Sequence, residues 1–287
     1  MLRKPIFVFC MTLALVSMAC SLTINLPVDQ VTAGPTQEQE ILVKEPDAAS
    51  ADVSLSFGAG ELAIAPGAQA ALISGKAIYN VEDFKPNLSE DGNKIKLTTG
   101  NLELGGIPNF DNEIKNEWDL KLGDMPMHLT ISAGAYQGSY ELGGLSLQSL
   151  DISDGASDVS LAFSEPNLIE MDSLRYSTGA SNVKLKGLSN ANFKSMIFRG
   201  GAGDYTLDFS GKLRMDAVAT VEAGISHVVI IVPKDMNVKL IFKGGLANID
   251  VSKDWDHTGN QYVMQGQGPL LTINVDMGAG NLELKTQ

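Results

Sequence analysis

Residues 199–211 read RGGAGDYTLDFSG, in which three glycines precede an aspartate and an alternating apolar and polar run. Glycine-rich loops beside such residues occur in phosphate and calcium sites. This stretch lacks the Lys-Ser/Thr of a phosphate-binding loop, and the nine-residue period of calcium-binding β-helices does not surround it. The alternation predicts a β-strand instead. The glycines therefore need a structural explanation.

An internal repeat supplies one, with the form apolar-x-apolar-x-x-Gly-small-x-x-apolar-x-apolar. An early copy surrounds Gly58, and seven later copies follow at spacings of 21 to 24 residues, except for a last gap of 33 that contains an inserted loop, residues 254–260. Their glycines are Gly134, Gly155, Gly179, Gly201, Gly224, Gly245 and Gly278. Two short strands around a glycine at this period predict a β-solenoid with coils of about 22 residues. We expect the glycines to let the chain bend tightly between the strands.

Aligning the copies on the glycine predicts which side chains face the core. Positions five and three residues before it, and two positions after it, are apolar in nearly every copy. In the Gly201 copy these positions hold Met196, Phe198, Tyr205 and Leu207. In the Gly134 copy, two extra residues are expected before Tyr140 and Leu142 align.

Charged residues between these columns predict contacts from coil to coil. Two residues before the glycine, successive copies carry Arg199, Glu222, Lys243 and Asp276. In the neighbouring column, Asp151 is matched with Arg175. Strands stack about 4.8 Å apart, so opposite charges attract there, although an exposed pair contributes under about 1 kcal/mol. We interpret the alternating ladder as a control of register rather than as a binding stripe.

The fold class is therefore all-β, a β-solenoid preceded by a small β-rich domain. We divide the chain into a signal peptide at 1–19, a flexible tether at 20–50, a β domain at 51–126 and the solenoid at 127–287. The chain stops three residues after the last inward position, Leu284. Because uncovered strand edges attract partners, we expect an end-to-end contact, a partner strand, or folding back onto the first domain.

The N-terminus has the pattern of an export signal. Arg3 and Lys4 precede an apolar run, residues 5–16, that is too short for an ordinary membrane span. Cys20 follows a small residue, as at a bacterial lipoprotein cleavage site, and it is the predicted point of lipid attachment; an ordinary secretory signal is the alternative. The other cysteine, Cys10, lies in the removed segment, so the mature chain has no internal disulfide. We expect an extracytoplasmic lipoprotein anchored to the membrane.

The charge of the chain restricts its partners. The formal net charge of −13 repels nucleic acid, which we exclude as a partner. Besides the membrane that holds the lipid anchor, an envelope protein or a surface polymer is the expected partner. The sequence leaves the oligomeric state open.

Several motifs resemble known bacterial envelope proteins. The segments 58–64 (GAGELAI), 79–80 (YN), 85–86 (KP) and 116–120 (NEWDL) look like the N-terminal domain of toast-rack proteins. The repeats from Leu129 onward resemble adhesin-like β-solenoids and the C-terminal domain of LiaF-like, cell-wall-active antibiotic response proteins. The resemblance covers almost all of the chain after the tether, and it implies the fold without supplying catalytic residues.

We also searched for polar groups that could carry chemistry. His227 stands where other copies have Asp or Asn, residues that bond to nearby backbone in tight turns, so we interpret it as a corner residue. His257 lies beside Asp254 and Asp256, where a metal site is conceivable but a solvated loop is favoured; His128 has no evident partner. Nucleophile-elbow, metalloprotease and phosphate-loop motifs are absent from the sequence. No catalytic, cofactor or metal residue is assigned.

Three functions remain as hypotheses. The first is a noncatalytic, envelope-anchored β-solenoid that acts in surface adhesion or scaffolding. The alternative is a LiaF-like sensor or regulator of envelope stress. The third is a carbohydrate-active β-helix enzyme, which would depend on Asp254 or Asp256.

Overall fold

The computed structural model describes residues 33–99 and 114–287. The predicted signal peptide, Cys20 and the tether up to residue 32 lie outside these residues. The described chain forms one 15-stranded sheet, and the predicted all-β solenoid fold is confirmed. Its first strands are β1 (Gln37–Val43), β2 (Ala51–Pro66), β3 (Ile73–Tyr79), β4 (Pro86–Asp91), β5 (Lys94–Thr99) and β6 (Asn116–Leu122).

Eight long strands stack in parallel, one for each coil. They are β2, β7 (Met127–Glu141), β8 (Leu147–Ala162), β9 (Met171–Lys186), β10 (Phe193–Asp208), β11 (Ala217–Val232), β12 (Met236–Val251) and β15 (Gln267–Thr286). The alternation of buried and exposed side chains shifts by one residue at each repeat glycine, which we call the corner. The corner separates a first arm from a second arm. Short 3-10 helices occupy Glu82–Phe84 and Leu188–Ala191.

The order of the last coils differs from their order in the sequence. The C-terminal strand β15 lies between β11 and β12, so that Ile273 is the register partner of both Ala219 and Leu240. The C-terminal strand is therefore not the open end, and the three expected ways of covering it are wrong. The strand at this end of the stack of coils is β12.

The inserted loop makes this crossing possible. Residues 254–260 contribute to a hairpin of β13 (Asp256–Thr258) and β14 (Gln261–Met264), which pairs with the first arm of β12 at Val238–Ile241. The chain then returns past β12 at Gly266, where an added Cβ would lie 2.1 Å from the backbone oxygen of Asp235. A glycine is required here because the two backbones approach so closely.

At the other end of the stack, β2 is both a coil and a junction. One side of β2 pairs with β7 along most of its length, and the other pairs with β5 in the first arm and with β6 in the second. The proposed boundary at residues 126 and 127 falls between β6 and β7. The sheet thus runs across that boundary without interruption.

Part of the predicted tether is folded. Residues 37–43 form β1, which pairs antiparallel with β3. Ile41 and Val43 are buried, and they lie in the main core cluster. The tether prediction is wrong for this segment, because burying two alternate apolar residues and forming a full ladder outweighs the polar composition around them.

The predicted inward columns are confirmed in the inner coils. Met196, Phe198, Tyr205 and Leu207 are all buried. The copy at Gly134 needs no extra residues, because Gly138 is aligned with Val159 and Tyr140 with Leu161. A Cβ on Gly138 would lie within 3.1 Å of atoms of the neighbouring side chains. This glycine leaves room for two tyrosine rings.

The repeat glycines form a continuous stack, but not for the predicted reason. A Cβ on Gly201 would lie 2.4 Å from the backbone oxygen of Gly179, and one on Gly224 would lie 2.5 Å from that of Gly201. These glycines do not adopt the positive φ angles found at Gly203 or Gly280. The column requires glycine because adjacent backbones touch at the corner, and not because the chain must bend tightly.

Candidate functional site

A row of polar side chains crosses the outer face of the second arms, with one residue from each of nine adjacent strands. It begins on β6 with Glu117, whose register partner on β2 is Glu61. It continues in register through Gln137, Asp158, Asn182, Asp204, His227, Asn281 and Asn248. We call these nine residues the polar row. Since neighbouring strands lie about 4.8 Å apart, the row is roughly 40 Å long.

Members of the polar row bond to one another across the coils. Asn182 donates from Nδ2 to Oδ1 of Asp158 at 3.2 Å, and Asn248 donates to Oδ1 of Asn281 at 2.9 Å. The predicted bonding of these residues to the backbone of a tight turn is wrong. The strand continues through this position, so the backbone groups belong to the sheet ladder and the side chains are left to meet their neighbours.

His227 belongs to a charged cluster that joins three strands. Its Nδ1 lies 3.4 Å from Oδ1 of Asp204 on β10, and its Nε2 lies 2.8 Å from Oε1 of Glu283 on β15. Nζ of Lys285 lies 2.5 Å from the other oxygen of Glu283. Lys285 first, and then His227, hold the pKa of Glu283 below its usual range. The cluster keeps Glu283 as a carboxylate on the outer face.

At its N-terminal end the polar row enters a groove of about 580 Å³. The polar side chains that line it are Glu61, Lys76, Glu117, Asp119, Gln137, Ser139, Asp158 and Ser160. Asp119 lies beside Lys76 in the register of β6 and β3. Four carboxylates against one ammonium make the groove negative. Its oxygen atoms can accept hydrogen bonds from hydroxyl or amino groups.

The inserted loop does not bring its candidate residues together. His257 uses Nε2 on the backbone oxygen of Gly259 at 2.6 Å, and its ring stacks on Tyr262 with centroids 4.6 Å apart. Asp254 accepts a hydrogen bond from the hydroxyl of Thr286. Within residues 33–99 and 114–287, no group of three or more His, Cys, Asp or Glu side chains could hold a metal ion.

His128, for which the sequence showed no partner, and the matched pair Asp151 and Arg175 both contact the neighbouring coil. Nδ1 of His128 lies 2.8 Å from Oγ of Ser149 on the next coil, at an exposed position. Asp151 and Arg175 form their predicted ion pair, with 3.7 Å between Oδ2 and Nη1. Both contacts join neighbouring coils on the outer face of the first arms.

The predicted charge ladder two residues before the repeat glycines is confirmed only in part. Nε of Arg199 lies 2.8 Å from Oε2 of Glu222, which confirms that pair. Because β15 is inserted before β12, Glu222 is next to Asp276 and the signs no longer alternate. Lys243 is the register neighbour of Asp276, but the two do not form an ion pair in the described chain.

Sequence reasoning missed a buried carboxylate near the corner of β8. Asp154 is 8 % exposed, and its Oδ2 accepts hydrogen bonds from the hydroxyls of Tyr176 at 2.7 Å and Tyr136 at 3.3 Å. Thr178 donates to its other oxygen, and Tyr140 donates to the hydroxyl of Tyr136 at 3.0 Å. The inward positions lie five and three residues before the glycine, so the same alternation predicts that the residue directly before Gly155, which is Asp154, also points inward. With four described neighbours in one network, the carboxylate holds adjacent coils together.

The tyrosines of this network predict a loss of stability at alkaline pH. Burial, reinforced by the Asp154 charge, raises the pKa of Tyr136, Tyr140 and Tyr176 well above the ordinary phenol value of about 10. Below that value the phenols are neutral in both states, so stability is unaffected. Above it they ionise only in the unfolded chain, and the free energy of unfolding falls by up to about 4 kcal/mol per pH unit.

Urea denaturation between pH 9 and pH 12, with the tyrosines followed by absorbance, measures this effect. Tyr176→Phe serves as the comparison, since removing one of the three phenols should reduce the alkaline slope by about a third. An unchanged slope in that variant would mean that the buried phenols do not cause the loss.

Comparisons with known proteins agree with this architecture. Residues 32–172 match the model of a family described as the N-terminal domain of toast_rack, DUF2154. No curated protein matches the sequence. Among the described residues, no helix is long and apolar enough to cross a membrane.

Two solved structures that align with this chain come from Clostridium sporogenes and Bacteroides fragilis. A Clostridium sporogenes protein named for cell adhesion aligns with a TM-score of 0.50 and 19 % identity, over 88 % of this chain and 100 % of that one. A Bacteroides fragilis protein named as an adhesin aligns with a TM-score of 0.37 and 7 % identity, over 89 % and 99 % of the two chains. The first likeness concerns the fold alone. Residues 32–172 therefore match the toast-rack N-terminal domain, and the toast-rack fold matches the fold of the described chain.

Proposed function

We propose that this protein is a noncatalytic scaffold of the bacterial surface, which holds a surface polymer along its polar row. The observation that carries the proposal is the continuity of that row. Nine strands place a hydrogen-bonding side chain at the same height on one outer face, from Glu117 to Asn248. A repeating surface of this kind suits a ligand that is itself extended and repetitive.

The chemistry of the row indicates which polymer would bind. Amide groups at Gln137, Asn182, Asn248 and Asn281 both donate and accept hydrogen bonds, whereas the carboxylates only accept. The formal net charge of −13 disfavours an anionic chain. The favoured partner is a polymer rich in hydroxyl or amino groups, such as a neutral or amino-sugar glycan of the cell envelope.

The cellular setting is part of the same proposal. Lipid attachment at Cys20 would place the folded region outside the cytoplasm, with the polar row turned toward other envelope components. A protein with a similar fold is named for cell adhesion, which supports a surface role. The noncatalytic role is favoured because the polar row is built from side chains that bond to their neighbours in the ladder.

Neutralising the groove tests the proposal. In the full-length chain, Glu117→Gln combined with Asp119→Asn keeps the side-chain shapes and removes two carboxylates. The control, Glu45→Gln with Asp47→Asn, removes the same charge from an exposed loop outside the groove. Affinity for purified cell walls should fall about tenfold or more in the groove variant, since a hydrogen bond to a charged group contributes about 1.5–3 kcal/mol.

The control should bind as the unmodified protein does. Equal binding by both variants would mean that the groove is not the contact surface. Release of soluble sugar products from the walls would instead favour the carbohydrate-active alternative. Normal cell-wall binding by the groove variant, together with an altered response of a deletion strain to cell-wall antibiotics, would favour the alternative of an envelope-stress regulator.

A further inference from the structure

The second arm of β12 is an open strand edge. One side of β12 pairs with β15 over its whole length. On the other side, β14 pairs only with Val238–Ile241, and the backbone nitrogen of Phe242 donates to the oxygen of Asn260 at 2.9 Å. In the part of the chain that the structure describes, nothing pairs with this edge from residue 243 to residue 251.

The same arm exposes apolar side chains that other coils bury. Val251 is 39 % exposed, whereas its register partner Leu284 is 1 % exposed. Ile249 is only partly buried, although the equivalent positions of inner coils are closed. At the corner, a position that is exposed in most inner coils as well, Leu246 is 85 % exposed, whereas five inner coils carry alanine and β11 carries Ile225, which is 74 % exposed. The core of the solenoid is therefore uncovered at this end.

We propose that this edge binds the same edge of a second copy of the chain, as an antiparallel pair around a two-fold axis at the corner. A two-fold axis makes one surface its own partner and closes the assembly at two copies. The strand pairing supplies the missing backbone hydrogen bonds of both edges. This inference is independent of the proposed polymer binding.

The fold selects the register of that pair. Opposed residues of antiparallel strands must point to the same face. In β12 the inward side chains have even numbers in the first arm and odd numbers in the second. Two opposed residues from different arms therefore point to the same face only when the sum of their residue numbers is odd. Pairings shifted toward the first arm collide with β14, which covers Val238–Ile241. Among the registers that stay on the free edge, residues 243–251, one places Lys243 opposite Asp250 and Gly244 opposite Ile249.

Charge favours this register. Lys243 and Asp250 lie on the outer face of different arms, and both are exposed. Lys243 has no ion-pair partner within the described chain, and Asp250 contacts only Asn248 of its own strand, at 3.3 Å. The two-fold axis brings each lysine opposite the aspartate of the second copy, which forms two symmetric ion pairs.

Charge exchange tests both the interface and its register. Sedimentation velocity of the full-length chain in a nonionic detergent should give a monomer–dimer equilibrium. Lys243→Asp and Asp250→Lys should each weaken the dimer about tenfold or more, because two attractive pairs become repulsive. The double variant should restore the dissociation constant to within about threefold. Lys239→Asp, on the arm that β14 covers, is the matched control and should have no effect.

A loss in both single variants with recovery in the double variant supports the proposed pair, and recovery also shows that the variants fold. An unmodified protein that stays monomeric at concentrations of about 100 μM overturns the proposal. So does a dimer that tolerates both single exchanges, or one that the double exchange fails to restore.

Discussion

Replacing Asp154 with alanine is expected to lower the free energy of unfolding by about 2–5 kcal/mol, since two buried hydroxyls lose their acceptor. The carboxylate accepts hydrogen bonds from Tyr136, Tyr176 and Thr178 inside the solenoid. Removing it takes the acceptor from the buried hydroxyls of Tyr136 and Tyr176, and burial keeps water from replacing those two bonds. The partly exposed hydroxyl of Thr178 keeps its contact with Ser181. Urea denaturation at neutral pH measures the change.

Tyr176→Phe is the matched comparison for this prediction. It removes one donor and keeps the ring, whose centroid lies 5.7 Å from that of Phe198. The cost should be about 1 kcal/mol, the ordinary contribution of one hydrogen bond. If Asp154→Ala costs no more than Tyr176→Phe, the network does not hold the coils together.

The second large effect is expected at the glycine stack. Gly201→Ala places a Cβ 2.4 Å from the backbone oxygen of Gly179. The backbone of the adjacent coil cannot rotate away as a flexible side chain could, so the two coils must separate. We expect the free energy of unfolding to fall by about 2–3 kcal/mol, as in other overpacked cores.

Gly155→Ala provides the control within the same column. Its Cβ would lie 3.1 Å from the backbone oxygen of Gly134, a contact that a small shift relieves. Denaturation of the two variants side by side should give a loss below about 1 kcal/mol for Gly155→Ala. Equal losses of unfolding free energy would indicate that the cost comes from replacing glycine in a strand, and not from the contact with the adjacent backbone.

The sequence was sufficient to predict the coils of the solenoid, but not the order in which the last coils stack. The glycine column and the inward columns predict which residues of two coils are aligned, as Ile273 illustrates. The same alignment holds whether β15 follows β12 or precedes it, because Ile273 matches both Ala219 and Leu240. The position of β15 depends on a hairpin and on a backbone crossing at Gly266, and neither leaves a periodic signal.

The candidate site was partly visible in the sequence. The repeat places Asp, Asn or His at one position after the glycine, and this became the middle of the polar row. Its beginning at Glu117 was hidden because β6 has no repeat glycine, and its pairing with β2 is a long-range contact. β1 was missed for a related reason, since only Ile41 and Val43 face the core of that short strand.

Photo-crosslinking in growing cells tests the central claim, that the polar groove holds a surface partner. A photoreactive amino acid at Ser139, on the rim of the groove, is compared with one at Thr130, which is exposed on the first arm of the same strand. Crosslinks to envelope polymer or protein from Ser139 and not from Thr130 are the predicted result. Equal labelling from the two positions, or none from Ser139, would contradict the claim.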